Sequence, residues 1–142
     1  MATQISVFVE NKPGRLNRVA KILGRENINI RAVTISDRGE YGLINLITDD
    51  PEKTFKALEN AGFTVSRKKV IGVIMDDRPG SLSRVTELLE SNGINVTNAY
   101  GFLLQEKGKA VLVFEVKDYE KALEKIENAG FQTITEDDLH NI

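Results

Sequence analysis

Asn11-Lys12-Pro13-Gly14-Arg15-Leu16-Asn17-Arg18-Val19 returns 66 residues later (77 minus 11) as Asp77-Arg78-Pro79-Gly80-Ser81-Leu82-Ser83-Arg84-Val85. This recurrence decides the fold, because a chain made of two copies of one unit needs only that unit to be read. Asn27-Ile28-Asn29-Ile30 comes back at the same offset as Gly93-Ile94-Asn95-Val96. Glu59-Asn60-Ala61-Gly62-Phe63 comes back as Glu127-Asn128-Ala129-Gly130-Phe131, offset 68 (127 minus 59). The second copy thus has two extra residues, placed in a hairpin around Gln105 to Lys109. The copies divide the chain into domains 1–67 and 68–142 and leave no room for a separate catalytic domain.

Each copy repeats one order of signals. Ile5, Val7 and Val9 alternate with polar or outward positions, as do Ile71, Val73 and Met75, which predicts a half-buried strand. Beyond the Pro-Gly turn, Leu16, Val19, Ala20 and Leu23 fall at helical spacing, and Leu82, Val85, Leu88 and Leu89 make a similar stripe. Two strands follow, Ile28 to Ser36 and Tyr41 to Thr48, split by Asp37-Arg38-Gly39; the later pair is Ile94 to Gln105 and Lys109 to Lys117, split at Gly108. Asp50-Pro51 opens a helix carrying Phe55, Leu58 and Ala61, echoed by Leu123, Ile126 and Ala129, and a glycine follows each. Short strands, Phe63 to Ser66 and Phe131 to Thr135, close the units. The class is therefore α+β: two ferredoxin-like β-α-β-β-α-β repeats, antiparallel sheets with helices on one face. Only Arg67-Lys68-Lys69 joins them, too short for a free linker, so a packed pseudo-twofold pair is expected.

The chemistry available is narrow. In 142 residues Lys plus Arg number 19 against 21 for Asp plus Glu, so no basic excess exists to neutralise nucleic acid. Cysteine is absent and His140 is the one histidine, which removes thiol nucleophiles, disulfides and most zinc arrangements. No cofactor is implied. No apolar run approaches the roughly 20 residues of a membrane span, and the start lacks a basic segment followed by an apolar one, so the chain is expected to be cytoplasmic.

The strand-to-helix loop is the one place with binding chemistry. Pro13 suits a first helical position, and Gly14 lets a ligand approach the first-turn amides of Arg15 and Leu16, a seat for a carboxylate. Asn11 can donate to and accept from an amino acid head group. The second loop repeats the backbone through Pro79, Gly80, Ser81 and Leu82, with Asp77 for the amide, so the two sites are expected to be unequal. Pro-Gly is also plain turn chemistry, and an asparagine between apolar residues, as at Asn29 and Asn95, also suits a bulge or strand-start cap.

The paired pattern of Asn or Asp, any residue, Pro-Gly, any residue, Leu, followed about ten residues on by Asn or Gly, Ile, Asn, Ile or Val, resembles the ACT domain family. The likeness runs from Gln4 to Phe63 and from Val70 to Phe131. It implies a non-catalytic small-molecule sensor, most often for amino acids, that pairs with another copy through sheet edges and holds its effector at their interface. Serine-sensing members, by the same resemblance, hold the ligand through the residue two before the Pro, here Asn11 and Asp77, and through the second Asn of the triplet on the partner, here Asn29 and Asn95. The position two before Asn11, a histidine in some members, is Val9 here and Met75 in the second half, which leans towards an apolar effector. A stand-alone tandem of this kind is similar to the small regulatory subunits of acetolactate synthase. A homodimer and a metabolic enzyme as target are the expected partners.

An acylphosphatase-like enzyme on the same frame is the alternative, with Arg15 or Arg78 and Asn29 as its tools. Ser81 replaces Arg15 in the repeat, and no positioned base is visible. An RNA-binding sheet would need exposed aromatics on central strands and a basic face. Arg18 and Arg84 read as solvated helix faces or salt-bridge partners rather than effector ligands, Tyr100-Gly101-Phe102 as packing, and Glu136-Asp137-Asp138 with His140 as a frayed acidic tail.

Overall fold

Alternation in β1 (Ala2–Glu10) puts Ile5, Val7 and Val9 on one side, all buried, and the first core grows from them. The computed structural model describes residues 2–142; Met1, with which the expected first domain begins, lies outside the described residues. After β1 come α1 (Arg15–Arg25), β2 (Ile30–Asp37), β3 (Tyr41–Thr48) and α2 (Pro51–Asn60). Val19 and Leu23 of α1 and Leu58 of α2 close over Ile5, Val7, Ile44 and Leu46. Register ties these together: Val7 lies opposite Ile44 and Ile5 opposite Leu46, so core residues of β1 and β3 share a face.

One long strand, β4 (Thr64–Asp76), follows, then α3 (Ser81–Ser91), β5 (Val96–Leu103), β6 (Lys109–Val116), α4 (Tyr119–Asn128), β7 (Gln132–Thr133) and α5 (Glu136–Asn141). Ile71 and Val73 of β4 pack with Phe114 and Val116 of β6, Val85 and Leu89 of α3, and Ala122 and Ile126 of α4. Strand order is β2-β3-β1-β4 in the first half and β5-β6-β4-β7 in the second, the same order twice. With two helices on each frame, the ferredoxin-like reading holds. By contacts the chain forms two compact units, one of residues 3–68 with 139–141, the other of residues 69–138 with Ala2 and Ile142.

Asp50 caps α2 by accepting from Lys53 N at 3.1 Å, with Pro51 at the first helical position, and Asp118 caps α4 in the same way. The glycines after these helices are left-handed, Gly62 at φ 93° and Gly130 at φ 86°.

Five expectations are corrected. Arg67-Lys68-Lys69 is no linker; it lies inside β4 as extended backbone. Pro13 and Pro79 are not first helical residues, because both helices begin two positions later. The Pro-Gly pairs occupy the middle of a turn whose second central residue needs positive φ, and Ser81 N donates to Arg78 O at 3.3 Å across it. Ile28 and Ile94 precede their strands and are buried, anchoring the helix ends instead. The acidic tail is an ordered helix: Thr135 and Asp138 form a reciprocal capping box, and Leu139 is buried. Arg31 Nε donates to Leu139 O at 3.1 Å, and His140 Nδ1 lies 3.0 Å from Asp49 O. The closing strand of the second unit, expected from Phe131 to Thr135, is only Gln132–Thr133, paired to Ile74 and Val73.

Candidate functional site

In the first unit the loop between β1 and α1 opens on a cavity of about 320 Å³. Asn11, Pro13, Gly14, Arg15 and Leu16 line it together, with Val9, Glu10 and Lys12 before them and Ile35, Ser36, Asp37 and Gly42 from the β2–β3 hairpin. Val9, Pro13, Leu16 and Ile35 make an apolar side; the loop polar groups make the other.

The backbone of this loop follows from two residues. Gly14 sits at φ 91°, and a side chain there would touch nothing within 4 Å, so the glycine is needed for its conformation while the space above it stays open. Its position as N-cap leaves α1 without a side-chain cap. Arg18 N donates to Gly14 O at 3.0 Å, so the amides of Arg15, Leu16 and Asn17 precede the first intrahelical bond and face the positive end of the helix dipole.

Asn11 is more constrained than expected. Its Nδ2 donates to Asp37 Oδ1 at 3.0 Å and to Gly39 O at 2.9 Å. Both amide hydrogens are therefore spent on the hairpin, and only the carbonyl Oδ1 remains to meet a ligand, as an acceptor. Asp37 Oδ1 also accepts from Gly39 N at 2.8 Å, which fixes the hairpin that holds Asn11. Glu10 gathers Lys12 Nζ at 2.8 Å and Arg15 Nη2 at 3.1 Å. The hydrogen bond from Lys12, then that from Arg15, holds the Glu10 carboxyl below its ordinary value. Arg15 Nε is buried with no partner among the described residues.

Asn29 and Asn95 are not brought to these loops within their own units. Asn29 is exposed just before β2, its backbone N donating to Asp49 Oδ1 at 3.0 Å and its carbonyl accepting from Asp49 N at 3.1 Å. Asn95, also exposed, borders a separate depression with Thr86, Gly93 and Val96.

The second loop differs. Asp77 is exposed, its backbone N donating to Gly108 O at 2.8 Å where Asn11 uses its side chain. Gly80 has the same left-handed backbone, φ 91°, and Leu82 is exposed. Ser81 alone of Asp77, Pro79, Gly80, Ser81 and Leu82 lines the cavity of about 230 Å³ beside the second loop. The two loops are thus built differently. Reading the sequence missed the hairpin contribution of Ile35, Ser36, Asp37 and Gly42; Asp37-Arg38-Gly39 was visible as a turn, but nothing local says that it meets residue 11.

No helix of the described residues is long and apolar enough to cross a membrane. Among them, no group of three or more acidic or histidine side chains has the arrangement of a metal site.

Comparison with known proteins bears on this frame. A family model described as an ACT domain pair matches residues 1–142. The crystal structure of protein BT0572 from Bacteroides thetaiotaomicron is similar, with a TM-score of 0.91 and 31% identity over 99% of this chain and 96% of that one. The regulatory subunit of aspartate kinase from Thermus thermophilus, in its ligand-free form, shares the fold at TM-score 0.66 and 15% identity, covering 91% of this chain and 93% of its own. Aspartokinase alpha and beta subunits give 0.60 and 18%, covering 89% and 90%. The comparison with curated proteins gave no match. A repeated β-α-β-β-α-β frame, two Pro-Gly loops and a family match from end to end agree: the chain belongs to the ACT domain pair family.

Proposed function

We propose that this protein is a non-catalytic, cytoplasmic sensor that binds an amino acid in the first-unit cavity and passes the signal to an enzyme of amino-acid biosynthesis. The observation that carries the reading is the cavity of about 320 Å³ in which Asn11, Gly14, Arg15 and Leu16 converge. The effector carboxylate rests on the amides of Arg15 and Leu16, and its ammonium donates to Asn11 Oδ1, the one atom of that amide left free. Val9, Leu16 and Ile35 supply an apolar side, which supports an effector with an aliphatic side chain. In the second unit Pro79, Gly80, Ser81 and Leu82 offer the weaker seat, since Asp77 repels a carboxylate. Asn29 and Asn95, exposed ahead of their strands, meet the effector from a neighbouring copy in a homodimer.

A structural neighbour described as the regulatory subunit of aspartate kinase supports a regulatory role. The target is an enzyme such as aspartate kinase or acetolactate synthase. A thermal-shift screen of the proteinogenic amino acids tests the reading, because a ligand that binds only the folded chain raises its melting point. An aliphatic amino acid should stabilise the protein, with micromolar to millimolar affinity by calorimetry. Asn11→Ala should weaken that binding about tenfold. No stabilisation by any amino acid overturns the proposal; unchanged affinity in the variant removes Asn11 from it.

A further inference from the structure

The two copies differ in side chains where the helix after the Pro-Gly loop begins. In the first unit Arg15 reaches back from that position to Glu10 Oε2 at 3.1 Å, spanning from helix to strand end. In the second unit the same position is Ser81, and Asp76, the counterpart of Glu10, pairs instead with Lys109 Nζ at 2.7 Å. Among the described residues no side-chain bond crosses from Ser81, and a cavity of about 230 Å³ lies there, bordered by Met75, Asp76, Ser81, Arg84, Lys109 and Phe131.

Arg84 is the second difference. Its counterpart Arg18 is used up by the fold, donating through Nη2 to Ala61 O at 3.0 Å and stacking on Phe63 at 4.8 Å. The Arg84 guanidinium stands 5.9 Å from the ring of Phe131 and, among the described residues, makes no side-chain hydrogen bond or ion pair, while its charge helps to hold the Asp76 carboxyl low. A planar guanidinium without an acceptor, a hydroxyl and an apolar wall border one concavity, and its charged lining of Arg84, Lys109 and Asp76 has a net charge of +1.

We propose that this cavity is a binding site for a small carboxylic acid, distinct from the Asn11 site and from the second-loop amides beside Asp77, a residue that does not line it. The carboxylate takes a forked pair of hydrogen bonds from Arg84 and one from Ser81 Oγ, while its short carbon chain lies against Met75 and Phe131. The volume suits a ligand of about six non-hydrogen atoms rather than a nucleotide. The carboxylate could come from an amino acid or from its 2-oxo counterpart. Asp76 distinguishes them, since it can accept from an ammonium group but gives nothing to a ketone.

The full chain, labelled with nitrogen-15, is titrated with L-alanine and separately with pyruvate while the amides of Ser81, Arg84 and Gly130 are followed by NMR. Both probes moving these signals places recognition in the carboxylate; L-alanine alone doing so identifies an amino acid held also by Asp76. Arg84→Gln should raise the dissociation constant at least about tenfold, Arg84→Lys should restore part of the affinity, and Asn11→Ala should leave it unchanged. Arg84 is exposed, so an unaltered melting point checks that the variants are folded. Absence of shifts at these three amides, or shifts that survive Arg84→Gln, overturns the proposal. The proposal does not rest on the first-unit reading: Asn11→Ala and the amides of Asn11 and Asp37 report that site separately.

Discussion

Gly14 and Gly24 lie ten positions apart (24 minus 14) in one loop and helix, yet a methyl group should act on them in opposite directions. Gly14 is at φ 91° with open space around a Cβ, so Gly14→Ala meets no clash but forces a left-handed alanine, at a cost of about 1–2 kcal/mol. Gly24 lies inside α1 with ordinary backbone and equally open space, so Gly24→Ala should stabilise by about 0.5–1 kcal/mol through a less flexible unfolded chain. Paired denaturant unfolding curves check both signs. The carboxyls of Glu10 and Asp76 give a second residue-scale expectation. Hydrogen bonds, chiefly from Lys12 to Glu10 and from Lys109 to Asp76, hold each below its ordinary value of 4.5 or 3.8. A depressed carboxyl contributes stability above its unfolded value and loses it as pH falls through the lower folded one. The Lys12–Glu10–Arg15 pairs should therefore persist below pH 4.5 and the Lys109–Asp76 pair below pH 3.8, visible as carboxyl carbon shifts titrating late in an NMR series. The identity of the Asn11 side chain was legible as a binding candidate; that its two N–H groups are already taken was not, because Asp37 and Gly39 are more than two dozen positions away.

At the scale of elements, α5 shows how a short acidic segment becomes ordered. Six residues with three acidic side chains in the first turn would fray alone, since helix nucleation is costly. Thr135 and Asp138 satisfy its first amides, the acidic turn suits the positive end of the dipole, and Leu139, 2% exposed, supplies burial. Leu139→Ala should cost about 2–3 kcal/mol and should also speed amide exchange at His140, measured by denaturant unfolding and hydrogen exchange. An unchanged unfolding midpoint would mean that the helix is not held by this side chain. The long helices α1 to α4 were readable because an amphipathic stripe repeats every turn. The lone anchor Leu139 makes no period to read. Likewise β4 hides its continuity: Arg67, Lys68 and Lys69 look like a polar connection, while an extended strand carries exposed charges without loss of its backbone geometry.

For the whole molecule, the question is what the first-unit sheet edge does. β2 ends the strand order of its unit and carries Val33 and Ile35 at 46% and 58% exposure. Apolar side chains on a terminal strand favour pairing with another copy. Homodimerisation through this edge predicts that Ile35→Lys lowers the sedimentation coefficient to that of a monomer while the fold persists by circular dichroism; an unaltered coefficient assigns any dimer to another face. The overall plan was settled by the amino-acid order itself: a repeated string implies repeated units, strand and helix periods are local, and cap and turn residues act within four positions of themselves. The Pro-Gly loops were identifiable as binding candidates for the same reason. Only tertiary contacts decided that the β2–β3 hairpin consumes the donors of Asn11, that Asn29 and Asn95 stay out of the loop cavities of their own units, and that replacing Arg15 by Ser81 leaves a cavity beside an unpaired Arg84. Such facts depend on which side chains meet across distant stretches of chain, and neither periodicity nor turn chemistry encodes those meetings.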